Sequence, residues 1–455
     1  MTGSTATDDP PISVRPGPRG LALVHTALDY HRHGLSALER MVARYGDVVR
    51  VELPGIRAFL FGHPELIQHV LVRQRDRYLK INGGRNVQRF FGNAMQLNNG
   101  DYARHLRRTL AHAFQPDRIA AVHTAPIVRA TEALIDRWAP GPRPSLTAEL
   151  MDLALDITVE LHLGAAPGED TRQLGRLFTA AIGSLRDFML PEWAPTPHNR
   201  RYHAAVAALD AAVMSRIAAR RRDGATGGDL MASFLAMEDD HGQPLSDRQI
   251  RDELITMMAA GYQSVGIAIN QTLRLVAEHP EVDRQLAAEL ATVLGDRLPG
   301  ADDLARLSYG QKVVKEALRS CPPAGVLARR AAVDDVVAGV QIPAGARVFL
   351  SAWAMHRDPR YYVEPAAFRP ERWTSELERS LPMCAYFPYG RGARACIAGS
   401  LSSFIIQLVV TLVVRRYRLE ALRPTSPDRS SWPSILAAGG LGVTLAPRGR
   451  MPTEA

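Results

Sequence analysis

The chain has 455 residues, of which 46% are hydrophobic and 22% charged, and its formal net charge is +8. Such a length is ample for a large core, and the balance is that of a soluble globular protein. Three cysteines, Cys321, Cys384 and Cys396, with no Cys-x-x-Cys spacing, exclude a disulfide framework and a zinc site and fit a reducing cytoplasm.

The positive charge, with a pI near 9.6, suits an acidic partner or serves solubility. Its residues are dispersed, not gathered into a nucleic-acid stripe; the run Arg220-Arg221-Arg222 reads as a solvated helix end. Residues 1–20 form a polar, proline-rich tail without the apolar core of a signal peptide or an anchor. From residue 21 to 455 there is no linker, repeat or low-complexity tract, so one domain is expected. Leu254 to Leu273 and Ala395 to Val414 carry no charge and approach the roughly 20 residues of a membrane span. Both also hold polar and small residues, so both read as helices buried in a large protein.

In chain order, residues 21–46 show apolar positions at helical spacing. Val48 to Val51 and Ala58 to Phe61 read as strands around Pro54-Gly55. Pro64 opens a helix through Val72. Residues 81–99 read as a long loop carrying Phe90, Phe91, Met95 and Leu97, suited to a binding site or to packing on the core. A basic helix follows from Tyr102 to Phe114, then further helices with breaks at 141–144, 165–168 and 191–197. Phe188, Met189, Leu190 and Trp193 give the last break a lid-like character. A long helix runs from Asp247 to His279 and stops at Pro280, with helices at 281–295 and 302–320 beyond it. After Pro322-Pro323 a hairpin-like set of strands appears around 336–350, and 441–445 reads as a return strand. The fold class is mainly α with a small β lobe.

The chemistry is concentrated in Phe387-Pro-Tyr-Gly-Arg-Gly-Ala-Arg-Ala-Cys-Ile-Ala-Gly399. Gly390, Gly392 and Gly399 let backbone approach something bulky and flat. Cys396 sits where a helix would begin, and N–H groups and the helix dipole there stabilise a thiolate. Such a thiolate is a good ligand for iron, and Arg394 is placed to meet an anionic group. Glu316-Ala-Leu-Arg319 puts opposite charges on one helix face. As a surface pair it would carry little weight, but Val313, Val314, Ala317 and Leu318 point to burial.

With these residues the chain resembles the cytochrome P-450 family of haem-thiolate enzymes. Tyr389, Gly392, Arg394, Cys396 and Ala398 fall on the family's cysteine loop, with Tyr for Phe and Ala for Gly as departures. Glu316 and Arg319 match its Glu-x-x-Arg pair, and Phe368-Arg-Pro-Glu-Arg372-Trp and His356-Arg-Asp-Pro359 follow in the family's order. The resemblance implies the cytochrome P-450 fold, with haem between the long helix and the cysteine-loop helix. It implies a buried triad of Glu316, Arg319 and Arg372, and a haem b iron held by the Cys396 thiolate.

Arg107, Arg329 and Arg394 are the implied propionate partners, with Arg108 or His105 and Arg330 as alternatives, because the family's frequent Trp is Ala103 here. Phe387, Tyr389 and Gly390 would complete the cofactor site. Ala260-Gly261-Tyr262-Gln263-Ser264 stands where the family carries its acid–alcohol pair. Gly261, Gln263 and Ser264 are therefore the implied catalytic positions, and Gln263 cannot titrate. The implied pocket is lined by Phe90, Phe91, Met95, Phe188, Tyr262, Val326, Leu327, Ile435 and Leu436, within the stretches 81–99, 188–193, 258–263, 326–327 and 435–436.

The expected activity is a cytoplasmic monooxygenase oxidising an apolar natural-product intermediate, a terpenoid or polyketide. Electrons from NAD(P)H would arrive through a separate ferredoxin or flavodoxin and its reductase, with no nucleic acid and no membrane span involved. Oxidative coupling, desaturation or peroxide-driven oxidation is the alternative that Gln263 raises, and a haem sensor is a further one.

Overall fold

The computed structural model describes residues 10–53, 55–81, 84–164, 169–186, 194–224, 227–422 and 440–449. Its centre is one helix of 32 residues, Asp247–Glu278, about 48 Å long at the ordinary helical rise. Ser246 starts it with a reciprocal cap: Gln249 N–H donates to the Ser246 hydroxyl, and Ser246 N–H donates 2.9 Å to the Gln249 side chain. Ile250 through Ala259 and Val265 through Ala277 are buried. A helix covered on all sides shows no amphipathic stripe, which is why this one resembled a membrane span.

Two helices hold it in place. Thr147–Leu163 packs along one side. Gly266 permits the approach, since a Cβ there would stand 2.6 Å from Met151 Sδ. The cysteine helix, Gly399–Arg416, crosses the other side and rests on Pro116–Ile135. Among the described residues it alone is long and apolar enough to cross a membrane, and most of it is buried in protein. Together with its neighbours it forms one continuous apolar core.

The β lobe is a five-stranded sheet in the order Val48–Leu53, Ile56–Phe61, Arg347–Ser351, Val326–Ala331, Tyr78–Lys80. Arg347–Ser351 is therefore not part of the expected hairpin. It runs parallel to Ile56–Phe61 and antiparallel to Val326–Ala331, while Asp335–Val337 and Val340–Ile342 make the hairpin alone. Val443–Pro447 returns between Tyr417–Ala421 and the short strand Gly141–Arg143. At the N-terminal end, Val14 bridges Gly46 and Val48, and Ser13 N–H donates 2.8 Å to Asp47.

Two expectations are corrected. Residues 81–99 are not a continuous loop: Arg85–Phe91 is helical, bounded by Gly84 and by Gly92 at φ 62°. Seven residues are too few to display a period. The 302–320 helix is broken at Leu307 into Asp303–Arg306 and Ser308–Ser320. The expected lid residues Phe188, Met189, Leu190 and Trp193, and the expected pocket residues Ile435 and Leu436, lie outside the described residues.

Replacing Ser246 by Ala removes one side of the central helix's cap. The expected cost is about 1 kcal/mol of stability, read as a lower urea midpoint at unchanged slope.

Candidate active site

A cavity of about 470 Å³ opens between the central helix, the cysteine loop and the basic helix Asp101–Leu110. Cys396 opens into it, whereas Cys321 and Cys384 are buried. The loop that presents Cys396 is tightly folded. Cys396 N–H donates 2.7 Å to Tyr389 O, and Gly390 N–H donates 2.9 Å to Phe387 O. Gly390 and Gly392 take φ near 70°, and a Cβ on Gly392 would meet Leu71 O at 2.4 Å. Both glycines are thus required by conformation, and Gly392 also by a backbone wall. Tyr389 OH is 2.8 Å from Ser403 Oγ, tying the loop to the cysteine helix.

The helix starts at Gly399, three residues after Cys396, so the cysteine precedes the first turn. Burial pushes the Cys396 thiol above its ordinary range; a hydrogen bond from Ala398 N–H and the charge of Arg107 oppose this. The expected depression by the helix end is therefore outweighed in the protein alone.

Behind the loop stands a buried carboxylate. Glu316 is fully buried and accepts from Arg319 Nη2 at 2.8 Å, Arg319 Nε at 2.9 Å and Arg372 Nε at 2.9 Å. Arg369 N–H at 3.0 Å and Trp373 Nε1 at 2.9 Å complete its shell. Arg319 in turn donates 2.7 Å to His356 O. His356 Nε2 accepts from Phe387 N–H at 3.0 Å, which places the ring proton on Nδ1. Burial pushes His356 down to about 3, so the ring stays neutral and can accept. A chain of hydrogen bonds thus runs from Glu316 to the first residue of the cysteine loop.

Of the cations that line the cavity, Lys80, Arg107, Arg329 and Arg394 gather at one rim, the three arginines all acting on Lys80; Arg75 and Arg104 also border the cavity. Arg107 donates to Ala395 O, Arg394 to Tyr78 O, and Arg329 2.9 Å to Ala328 O. Lys80 Nζ donates 2.8 Å to Met95 O and 3.1 Å to Asn98 O. Burial, with Arg394, Arg329 and Arg107 nearby, lowers Lys80 to about 8; burial and Arg394 lower Arg329 to about 10. Arg108 and Arg330 are exposed and do not border the cavity, and His105 turns to Glu238 O at 3.0 Å.

The distal wall departs from expectation. Gly261 and Ser264 border the cavity, with the Ser264 hydroxyl donating 2.5 Å to Ala260 O. Gln263 does not border it, nor do Met258 and Tyr262. Helical rotation turns positions 262 and 263 away when 261 and 264 face inward. Tyr262 packs edge-on against Phe178, which also contacts Phe90, and Phe90 contacts Phe91. Those aromatics are core, not pocket. Val326 likewise joins Leu35, Ile267 and Trp353, while Leu327 and Met95 do line the cavity.

Lining residues that sequence reasoning missed include Lys80, Glu253, Thr256 and His162. His162 faces Gly261, where a Cβ would stand 3.3 Å from its Cε1. Burial lowers His162 to about 3 and keeps it neutral. Glu253 is pushed up to about 7, chiefly by burial, although Met95 N–H donates to it at 2.7 Å and Tyr102 OH at 3.3 Å. Nothing in the local pattern around Glu253 or His162 signals that they meet a cavity.

A cysteine open to an apolar cavity, a braced loop beneath it and a desolvated cationic rim define a site for a flat, anionic, metal-bearing cofactor. The family model for cytochrome P450 matches residues 15–441, and the chain belongs to that family. It is 31% identical over 432 residues to a cyclooctat-9-en-7-ol 5-monooxygenase of Streptomyces melanosporofaciens, covering 93% of each chain. It is 30% identical over 430 residues to a pentalenene oxygenase of Streptomyces avermitilis, covering 92% of this chain and 93% of that one. Its fold superposes on the retinoic acid bound cyanobacterial CYP120A1 with a TM-score of 0.84 at 21% identity, over 96% of this chain and 100% of that one.

The protein is a cytochrome P450 monooxygenase, and membership implies a haem with a cysteine thiolate ligand and electrons from a redox partner. The residues present fit that group: an open thiol, a cluster of cations that would meet its carboxylates, and a largely apolar lining.

Two outcomes follow. Arg319→Leu leaves Glu316 without its bidentate partner and should cost about 3–5 kcal/mol, read as loss of soluble, haem-loaded protein. Folding holds the Glu253 pKa above its unfolded value of about 4.5, so the folded protein retains a proton that the unfolded chain has released. Stability from this group therefore falls as pH rises from about 4.5 to 7 and then levels. Glu253→Gln should remove that slope in urea titrations across the interval.

Proposed function

We propose that a single domain from residue 21 to 455 binds haem b through Cys396 and oxidises an apolar terpenoid, by hydroxylation in the first instance. The observation that carries the reading is the coexistence of the open Cys396 thiol and the four-cation rim in one apolar cavity. Bound haem would supply the activation of dioxygen. Cys396 would hold the iron from one side. Arg107, Arg329 and Arg394 would pair the propionates, and Lys80 stands beside them as a fourth donor. Phe387, Tyr389 and Gly390 fix the loop that presents Cys396. Gly261 keeps the opposite wall thin. Ser264 supplies a hydroxyl that can turn from Ala260 O to hold a proton-bearing water.

Two relatives named for cyclooctat-9-en-7-ol and for pentalenene support the terpenoid class over a polyketide. A separate ferredoxin or flavodoxin with its reductase would deliver electrons from NAD(P)H in the cytoplasm. The exposed Arg391 beside the cysteine loop gives an acidic partner a docking charge. Oxidative coupling, desaturation or peroxide-driven oxidation on the same haem is the second reading. Gln263 favours it, because a non-titrating residue off the cavity leaves the family's carboxylate role unfilled.

The reduced, CO-bound holoprotein should show a thiolate-ligated spectrum, and Cys396→Ala should abolish it. An unchanged spectrum in that variant overturns the ligand assignment. With ferredoxin, reductase, NADPH and oxygen, terpene substrates should gain one oxygen atom. Product formed only with added peroxide moves the assignment to the second reading.

A further inference from the structure

Within the apolar cavity the central helix carries a polar pair that the mechanism does not use. Glu253, Thr256, Met257, Ala260 and Ser264 form one stripe that borders the cavity. Glu253 is fully buried, and its Oε1 holds Met95 N–H and Tyr102 OH. Its Oε2 has no partner. Thr256 is 3% exposed, and its hydroxyl has no partner either.

The second absence is unusual for this chain. Thr124, Thr131, Thr158 and Thr272, all in helices, each donate their hydroxyl to the carbonyl four residues back. Thr256 forgoes that local bond. A buried acceptor and a buried donor–acceptor, one helical turn apart on a cavity wall, are costly unless something completes them.

We propose that Glu253 and Thr256 are a recognition site for a hydroxyl group of the substrate, so the enzyme acts on a terpenoid that already carries one alcohol. A hydroxyl satisfies both orphans at once, being donor and acceptor together: it accepts from Glu253 Oε2 while that carboxyl holds its proton and donates to it once ionised, and it pairs with the Thr256 hydroxyl in either state. An unoxidised hydrocarbon satisfies neither and leaves both desolvated. The reaction that supplies the substrate is then one that installs a hydroxyl, either a cyclisation ended by water or an earlier C–H oxygenation. The site also bears on position. Glu253 lies three turns from Ser264 along the helix, so anchoring the alcohol there presents a remote carbon of the skeleton to Ser264.

This inference rests on the terpenoid reading, and the test separates the two. The ferric holoprotein is titrated with pairs of terpene hydrocarbons and their mono-alcohols, cedrene and cedrol among them, and dissociation constants are taken from the spin-state shift. Alcohols should bind about 10-fold more tightly than their hydrocarbons. Thr256→Val keeps the shape and removes the hydroxyl, and should erase most of that preference while hydrocarbon binding is retained. Glu253→Gln is the second variant; since Oε1 also holds the Met95 loop, its hydrocarbon affinity serves as the control for loop integrity. Equal binding of alcohols and hydrocarbons, or a preference that survives Thr256→Val, overturns the hydroxyl site and leaves the terpenoid reading intact. No spin-state shift with any pair, in protein with a normal CO spectrum, overturns the terpenoid reading and the hydroxyl site with it.

Discussion

The site depends on one buried carboxylate. Glu316 has no solvent to stabilise its charge, so its five donors must do so. Those donors come from two separate stretches: the helix that bears Glu316 itself, and the segment Arg369 to Trp373. Satisfying one charge therefore fixes the relative position of both. Arg319 extends the constraint by donating to His356 O, and the neutral His356 ring passes it to Phe387 N–H. The cysteine loop inherits its position from a network that never touches the cavity. Its hydrogen bonds supply what a glycine-rich loop lacks on its own account, a single conformation.

Much of this was legible because the residues concerned act through type and spacing. A carboxylate and an arginine three apart on an otherwise apolar helix announce a buried pair, and Arg372 follows in a recognisable phrase. The glycines around Cys396 were legible as close approaches, and Gly392 against Leu71 O is one. The long helix was legible from its length and its Pro280 stop. Strand pairing was not. Sequence proximity groups 348–350 with the strands just before it, yet Arg347–Ser351 pairs with Ile56–Phe61 nearly three hundred residues away. Non-local register has no local signature.

The pocket was the least legible part, for a geometric reason. Phe90, Phe91 and Tyr262 have the composition of a pocket and pack as core. Glu253 and His162 have the composition of a helix surface and border the cavity. Whether a helical residue faces core or cavity depends on the rotation of that helix, and composition does not report rotation when every side is buried. Gln263 shows the consequence. Its place beside Ser264 in sequence suggested a shared role, but one step along a helix is a turn of about 100°, and it leaves the cavity while Ser264 stays.

The cationic rim completes the physical picture by coupling the cofactor to the fold. Lys80, Arg107, Arg329 and Arg394 come from a strand edge, the basic helix, the central sheet and the cysteine loop. Each is partly or largely removed from water; burial first, and then the neighbouring arginines, lower the pKa values of Lys80 and Arg329. Backbone carbonyls offset some of that cost and carry no net charge. A ligand with two carboxylates at this rim neutralises the repulsion and joins four separate elements through one set of ion pairs. Its binding energy is then in part folding energy, released by a site held in a state of electrostatic tension. The Glu316 network and the rim thus divide the work. The first positions the cysteine loop, and the second brings charged side chains from four elements to one edge of the cavity.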